Sequence, residues 1–179
     1  MNRLLAPMLL ALAFSGCAAA YSKQPVGETP KSLVTEVEQW EGNWMRPDGS
    51  VTVKVKDAAK GVLTIGWIDS NPEGLKPQTT VVFLREVGHW TFASLKNTDK
   101  PYLFLWARIE QSDRQIIFWP PDVEKLSALV TAGKLPGTIK DSDVYLGALG
   151  AKELKILSSE DEGILFNWDK PVVLFKLGG

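Results

Sequence analysis

The sequence predicts a mostly β protein in which an antiparallel meander closes into a β-barrel of about eight strands. Short segments of alternating apolar and polar residues follow one another between Gly42 and Trp119, separated by tight turns that contain Gly, Pro or Asp. Such a succession is typical of antiparallel pairing between neighbours in sequence. Seven segments of this kind, followed by a C-terminal pair, favour closure because a closed sheet has no exposed edge strands.

The elements of the predicted domain follow in order from Lys31. Apolar residues at helical spacing predict a short N-terminal amphipathic helix over 31–40. Alternation and turn signals then predict strands at 42–46, 51–56, 62–69, 79–86, 89–95, 102–110 and 115–119. Residues 70–78, which contain two prolines and one glycine, predict a loop between the third and fourth of these strands.

The C-terminal third is predicted to change character at Pro120 and Pro121, which end the strands. Asp122 and Gly133 suit the N-terminal and C-terminal caps of a helix over 122–132. The remaining predictions are a short strand, one or two helical turns, an acidic loop and two final strands that pair with each other, at 143–146, 151–157, 158–162, 163–168 and 171–177.

Composition narrows the class of protein. The chain has 179 residues, of which 45% are hydrophobic and 23% charged, with a formal net charge of −1. This length suits one domain or at most two small ones, and the apolar share excludes a wholly disordered chain. The near-neutral net charge does not indicate a basic surface of the kind that binds nucleic acid, so no nucleic-acid partner is expected. One cysteine and one histidine exclude an intrachain disulfide and multi-cysteine or multi-histidine metal sites, so no metal and no cofactor are expected.

Residues 1–16 predict a secretory signal peptide. A basic residue comes first, and an apolar run of eleven residues then begins at Leu4. At about 1.5 Å per residue, a helix of this length is too short for a bilayer core of about 30 Å. The length does fit the apolar region of a signal peptide.

Residues 12–17 end in Ser15, Gly16 and Cys17, and they resemble the lipobox of bacterial lipoproteins. The resemblance implies cleavage before Cys17, diacylation of its sulfur with chains such as palmitate, and acylation of its new amine. It also implies a membrane anchor. Ala18 stands where an Asp often marks retention in the inner membrane, which implies the outer membrane, with the protein facing the periplasm.

Two alternatives to lipidation remain open. One is a plain signal peptide cut near Ala18–Ala20, and the other is a cytosolic protein with a buried N-terminal helix. Residues 17–30 are small and polar and contain Pro and Gly, so they predict the lipidated cysteine followed by a flexible tether. Residues 31–179 are then predicted to form a single β-barrel domain.

A second resemblance lies at the start of the predicted barrel. A short helix that runs into Trp-Glu-Gly-Asn-Trp at 40–44 is similar to the Gly-x-Trp opening of the lipocalin superfamily. The resemblance implies that Gly42 lets the chain pass closely under the barrel and that Trp44 plugs its closed end. It also implies that a C-terminal basic residue packs on Trp44, a role for which Lys176 is available. The order of elements is lipocalin-like over about 40–179.

Seven tryptophans allow two interpretations. They line a cavity for an apolar ligand, or they fill the core because aromatic side chains bury large areas in strands. The residues singled out as ligand-binding candidates are Trp67, Phe104, Trp106 and Trp119.

The strand at 102–110 carries the sharpest prediction about these aromatics. Its wholly apolar face, which holds Leu103, Leu105, Ala107 and Ile109, is assigned to the core. Phe104 and Trp106 share the other face with Arg108 and Glu110, whose charges need water or partners. We therefore predict that Phe104 and Trp106 lie beside a cavity or an uncovered patch and are not fully buried. The competing outcome is that the helix at 122–132 covers them.

No catalytic pattern stands out, so the chain is not expected to be an enzyme. His89 has no nucleophile or carboxylate near it in sequence, and the acidic residues at 160–162 lack the spacing of a calcium loop. The favoured function is binding of a small apolar ligand in or beside the barrel. The alternative is a protein-interaction module that docks on a cell-envelope partner through an exposed aromatic patch. Inward aromatics would favour the first and outward aromatics the second.

Overall fold

The computed structural model describes residues 18–46, 48–71, 74–97, 100, 103–159 and 166–178. Over these residues the chain forms twelve strands and three short helices. In chain order they are β1 (Ala20–Ser22), β2 (Thr29–Pro30), α1 (Val37–Trp40), β3 (Gly42–Arg46), β4 (Gly49–Asp57), β5 (Val62–Asn71), β6 (Gly74–Val87), β7 (Trp90–Lys96), β8 (Phe104–Ser112), β9 (Gln115–Trp119), α2 (Val123–Thr131), β10 (Gly137–Lys140), β11 (Asp143–Leu146), α3 (Ala151–Leu157) and β12 (Val172–Leu177).

Eight of these strands close into an antiparallel β-barrel, which confirms the predicted fold class. The order around the barrel is β3, β4, β5, β6, β7, β8, β9 and β12, and β12 returns to β3. The barrel is closed by the pairing of β8 with β9, where Arg108 lies opposite Trp119, and by the pairing of β12 with β3, where Lys176 lies opposite Trp44. The first of the two predicted final strands, 163–168, lies partly outside the described residues, and its described part forms a bridge between Phe166 and Pro121 rather than a pairing with β12. β12 pairs with β3 and β9 instead, because that position removes both open edges of the sheet.

The chain before α1 differs from the predicted helix over 31–40, since only Val37–Trp40 is helical. The backbone N–H of Lys31 donates to the carbonyl of Leu84 at 3.0 Å, and that of Leu33 donates to the carbonyl of Ala58 at 2.8 Å. These bonds hold the first residues of the segment extended across the barrel strands. A helix there would leave the same backbone groups without those partners.

The predicted flexible tether is also different in the structure. β1 pairs with the first residues of β8 and with β11, and β2 pairs with β6. Ala20, Ser22 and Val26 are buried. Gly27 has a φ of +128° and lies against Arg85, whose side chain donates to the Gly27 carbonyl at 2.9 Å. The segment is ordered because long-range partners satisfy its backbone and its small apolar side chains are buried. Cys17 and the residues of the predicted signal peptide lie outside the described residues.

The predicted loop over 70–78 is instead the end of a long hairpin. β5 runs to Asn71, and β6 begins at Gly74, with Ile68 opposite Pro77. Pro77 is tolerated because β7 pairs with β6 only from Val82 onward, so the proline interrupts no ladder between these two strands.

Two hydrophobic cores lie on the two sides of β7 and β8. Alternation along these strands points Ala93 and Ile109 into the barrel, and Phe92 and Trp106 away from it. The buried residues of the inner core are Leu33, Trp40, Trp44, Val51, Val53, Leu63, Trp67, Val82, Leu84, Ala93, Leu95, Ile109, Ile116 and Leu174. The buried residues of the outer core are Ala20, Val26, Val87, Trp90, Phe92, Trp106, Leu126, Leu135, Val144, Leu146, Leu154, Leu157 and Phe166.

The predicted helix near 122–132 is confirmed as α2, and it covers the outer core. The Asp122 side chain caps its N-terminus by accepting from the backbone N–H of Lys125 at 3.1 Å. Gly133 has a φ of +68° just beyond its C-terminus. Leu126 is fully buried, so α2 presents an apolar face to the outer side of the barrel wall.

Candidate functional site

One end of the barrel is closed around Trp44. Its side chain is fully buried, and its indole N–H donates to the carbonyl of Trp40 at 2.9 Å. The Lys176 ammonium lies 5.5 Å from the centroid of the Trp44 ring and donates to the carbonyls of Glu38 and Gln39. The contact predicted between Trp44 and Lys176 is therefore present, and it ties β12 to the end of α1.

Gly42 is needed for this close approach. Its φ is +130°, a conformation that favours glycine, and a Cβ there would lie 3.2 Å from Cε of Lys176. A larger residue would displace the lysine stem from Trp44. The sequence placed both Gly42 and Trp44 at this end of the barrel, and the structure brings them together with Lys176.

The opposite end of the barrel, which we call the far end, is where β3, β5, β7 and β9 finish. Trp67 lies toward this end of β5, and Phe118 lies near the end of β9. Phe118 and Ile65 pack against the inner core, yet both side chains stay only half-buried. These half-buried inward side chains are apolar surface that a small apolar ligand could contact.

Trp67 has an unsatisfied donor in this environment. The side chain is 8% exposed and belongs to the inner core. Its indole N–H is buried and has no hydrogen-bond partner among the residues that the structure describes. A buried donor without an acceptor costs about 1–3 kcal/mol, so an acceptor brought by a ligand would bind favourably here.

Trp106 contradicts the prediction that it is not fully buried. Its relative exposure is 0%, and its ring centroid lies 6.3 Å from that of Phe92 and 6.0 Å from that of Phe166. The chain itself covers this face, through α2 and through segments distant in sequence such as the one around Phe166. Phe104, two residues earlier on the same face, is half-buried and packs edge-on against Phe83 at 5.7 Å.

Arg108 follows Trp106 on the outer face and is held among three tryptophans. Its guanidinium carbon lies 4.5 Å from the ring of Trp90, 4.9 Å from that of Trp119 and 4.8 Å from that of Trp168. The guanidinium also forms an ion pair with the exposed carboxylate of Glu110. Three cation–π contacts compensate for much of the cost of placing this charge among apolar rings. Arg108, whose charge was predicted to need water or partners, is thus packed against tryptophans of the outer core, whereas Glu110 stays exposed.

The four ligand-binding candidates do not form one site. Trp67 lies inside the barrel, Trp106 and Trp119 belong to the outer core, and Phe104 contacts Phe83 on the outer wall. Trp67 is the candidate whose surroundings suit a ligand, because it combines an apolar barrel interior with a free buried donor.

Searches of protein-family models, curated proteins and solved structures found no match for this chain. Among the described residues, no three His, Cys, Asp or Glu side chains are grouped so that they could hold a metal ion. No helix in the described part of the chain is long and apolar enough to cross a bilayer. The assignment of function therefore depends on the barrel, on Trp67 and on the N-terminal sequence.

Proposed function

We propose that the protein is a lipoprotein of the outer membrane, facing the periplasm, whose barrel binds a small apolar ligand that carries a hydrogen-bond acceptor. The observation that supports ligand binding is the buried indole N–H of Trp67, which has no hydrogen-bond partner among the described residues. The anchor rests on the lipobox-like residues 12–17, which end at Cys17.

The chemistry of the ligand follows from the lining of the far end. The inward residues Trp67, Ile65 and Phe118 offer apolar surface and one hydrogen-bond donor. Arg46, on the same face of β3 as Trp44, is paired with Asp48. Such a site favours a molecule that is apolar over most of its length and has a carbonyl, carboxyl or ether oxygen. Closure of the opposite end by Trp44 and Lys176 leaves the far end as the entrance, the arrangement that the lipocalin resemblance implies.

Replacing Trp67 with phenylalanine is expected to weaken binding of a fluorescent fatty acid, cis-parinarate, by about fivefold to tenfold. Phenylalanine keeps an aromatic ring at the site and removes the N–H donor. The measurement is a fluorescence titration of the full-length protein in a non-denaturing detergent. Trp119→Phe is the matched control, because it removes an indole N–H from the outer core, and its affinity should equal that of the unchanged protein. Equal affinities of Trp67→Phe and Trp119→Phe would remove the barrel site from the proposal.

Replacing Cys17 with serine is expected to abolish attachment of fatty acid, since serine lacks the sulfur that is acylated. Cells given a labelled fatty acid report the modification, and fractionation reports where the protein resides. The unchanged chain should carry label and sediment with the outer membrane, whereas the Cys17→Ser chain should carry none. Labelled Cys17→Ser protein would contradict the lipoprotein assignment without affecting the barrel site.

A second candidate function, docking on a cell-envelope protein, draws on a different surface from the one predicted. Met45 of β3 lies opposite Phe175 of β12, and Leu177 lies on the same outer face of the barrel. Their relative exposures are 48%, 47% and 44%. Neighbouring apolar side chains this exposed are typical of interaction sites. This function predicts that Phe175→Ser removes a defined cross-linked partner in intact cells and leaves parinarate binding unchanged.

A further inference from the structure

Beside β8, the small sheet of β10, β11 and β1 carries a polar aromatic cluster on its outer face. Tyr21 and Tyr145 are directly opposite in register, and their rings stack with centroids 5.1 Å apart. The Lys100 ammonium lies 4.9 Å from the Tyr21 ring centroid and 5.2 Å from that of Tyr145. It donates to the Tyr145 hydroxyl at 2.9 Å, and that hydroxyl donates to Asp143 at 3.2 Å. We call these four residues the tyrosine–lysine cluster.

The face that holds this cluster points away from the outer core. Ala20, Val144 and Leu146 are buried in the outer core, and alternation along both strands puts Tyr21 and Tyr145 on the other side. Lys140 is exposed and lies opposite Asp143 in the β10–β11 hairpin, so it shares that other side. The same surface therefore presents two lysines beside two tyrosine rings.

The chain between Cys17 and this sheet is very short. The backbone N–H of Ala19 donates to the Asp143 carboxylate at 2.8 Å, and the Ala19 carbonyl accepts from the N–H of Val144 at 2.9 Å. Cys17 is two residues earlier, so its Cα can lie at most about 7 Å from that of Ala19. An acyl group on Cys17 would hold this edge of the domain at the surface of the bilayer.

We propose that this face, formed by the tyrosine–lysine cluster and Lys140, docks on the membrane surface and binds the anionic phosphates of phospholipid head groups. The proposal rests on the proposed lipidation of Cys17, which commits the occupant to a bilayer because no long tether lifts the domain away. Tyrosine rings favour the level of the head groups, where one end of the ring is apolar and the hydroxyl is wet. Lysines near the surface are attracted to anionic lipids.

The charges of the cluster suit this role. The hydrogen bond with Tyr145 is the main cause that raises the pKa of Lys100 above its ordinary value, so its ammonium is protonated at neutral pH. Asp143 accepts from both the Ala19 N–H and the Tyr145 hydroxyl, which orients its carboxylate toward the protein. Lys100 and Lys140 are therefore the groups available to phosphate, and the opposing charges on this face are Asp143 and, in the hairpin turn, Asp141.

Amine labelling of the full-length protein tests the docked orientation. The protein is reconstituted into vesicles of phosphatidylethanolamine and phosphatidylglycerol, and each lysine is compared with the same lysine in detergent. Labelling of Lys100 and Lys140 should slow by about fivefold in the vesicles. Lys54 is the matched control, because it is exposed on β4, which lies four strands from β8 in the eight-stranded ring. Its labelling should not change.

Two further results separate this proposal from the one it rests on. Mass spectrometry of the N-terminal peptide shows whether Cys17 is acylated, and Lys100→Ala shows whether the cluster holds the domain down. In Lys100→Ala, labelling of Lys140 should return to the rate measured in detergent. Acylated protein with equal protection of Lys100 and Lys54 would overturn the docking and leave the anchor in place. Absence of acyl chains would overturn both.

Discussion

Replacing Trp44 with alanine is expected to lower the free energy of unfolding by about 3–5 kcal/mol. The side chain is fully buried at the closed end of the barrel, so its removal leaves a large cavity. The variant also loses the hydrogen bond to the Trp40 carbonyl and the contact with Lys176. Denaturant titration of the full-length protein, followed by circular dichroism, measures the change.

Phe175→Ala is the matched control for Trp44→Ala. Phe175 lies on β12, next to Lys176, but points outward and is 47% exposed. Its truncation should lower the free energy of unfolding by much less than truncation of Trp44, since a half-exposed ring forms fewer packing contacts. A loss below about 1 kcal/mol for Trp44→Ala would contradict its role in closing the barrel.

Replacing Trp106 with alanine is expected to produce a loss of similar size, about 3–5 kcal/mol, from the outer core. The ring packs against Phe92 and Phe166 and has no exposure. Its indole N–H has no hydrogen-bond partner among the described residues, so Trp106→Phe should lose only packing and cost much less. Equilibrium denaturation of both variants measures the difference.

Phe104→Ala provides the comparison on the same strand and the same face as Trp106. Phe104 is half-buried against a single neighbouring ring, Phe83, so its truncation should cost less than that of Trp106. A loss below about 1 kcal/mol for Trp106→Ala, in the range of ordinary surface substitutions, would contradict its burial in the outer core.

The barrel could be predicted from sequence because the alternation of apolar and polar residues within each strand identifies its inward face. Val51, Val53 and Val55 alternate with polar residues, and on β8 the charges of Arg108 and Glu110 identify the outer face. Period-two alternation is a property of each strand by itself. It predicts which side chains enter the barrel before any pairing is known, and the structure places Ile109 and Ala107 on the inward side.

What covers the outer face could not be predicted, because its cover comes from segments far away in sequence. Trp106 is buried by residues such as Phe166 and Leu126, and by the N-terminal chain near Val26. Part of that cover, the segment before residue 30, has no periodicity because β1 and β2 have only three and two residues. Strands this short depend on their partners, so composition alone predicted a tether there.

The surroundings of Arg108 were also only partly predictable from the sequence. The β8–β9 hairpin register places Trp119 directly opposite Arg108, and a register counted from the turn would have identified that contact. Trp90 and Trp168 reach the guanidinium from the start of β7 and from the chain before β12. Long-range closure alone brings them there. The free indole N–H of Trp67 likewise became visible only with its neighbours in place.

The ligand that we propose binds inside the barrel, beside Trp67. Native mass spectrometry of the full-length protein in a non-denaturing detergent shows whether it is there. We expect a species heavier than the bare chain by the mass of one small molecule, released on unfolding and depleted in Trp67→Phe. A single species at the mass of the bare chain, with no uptake of added cis-parinarate, would contradict it.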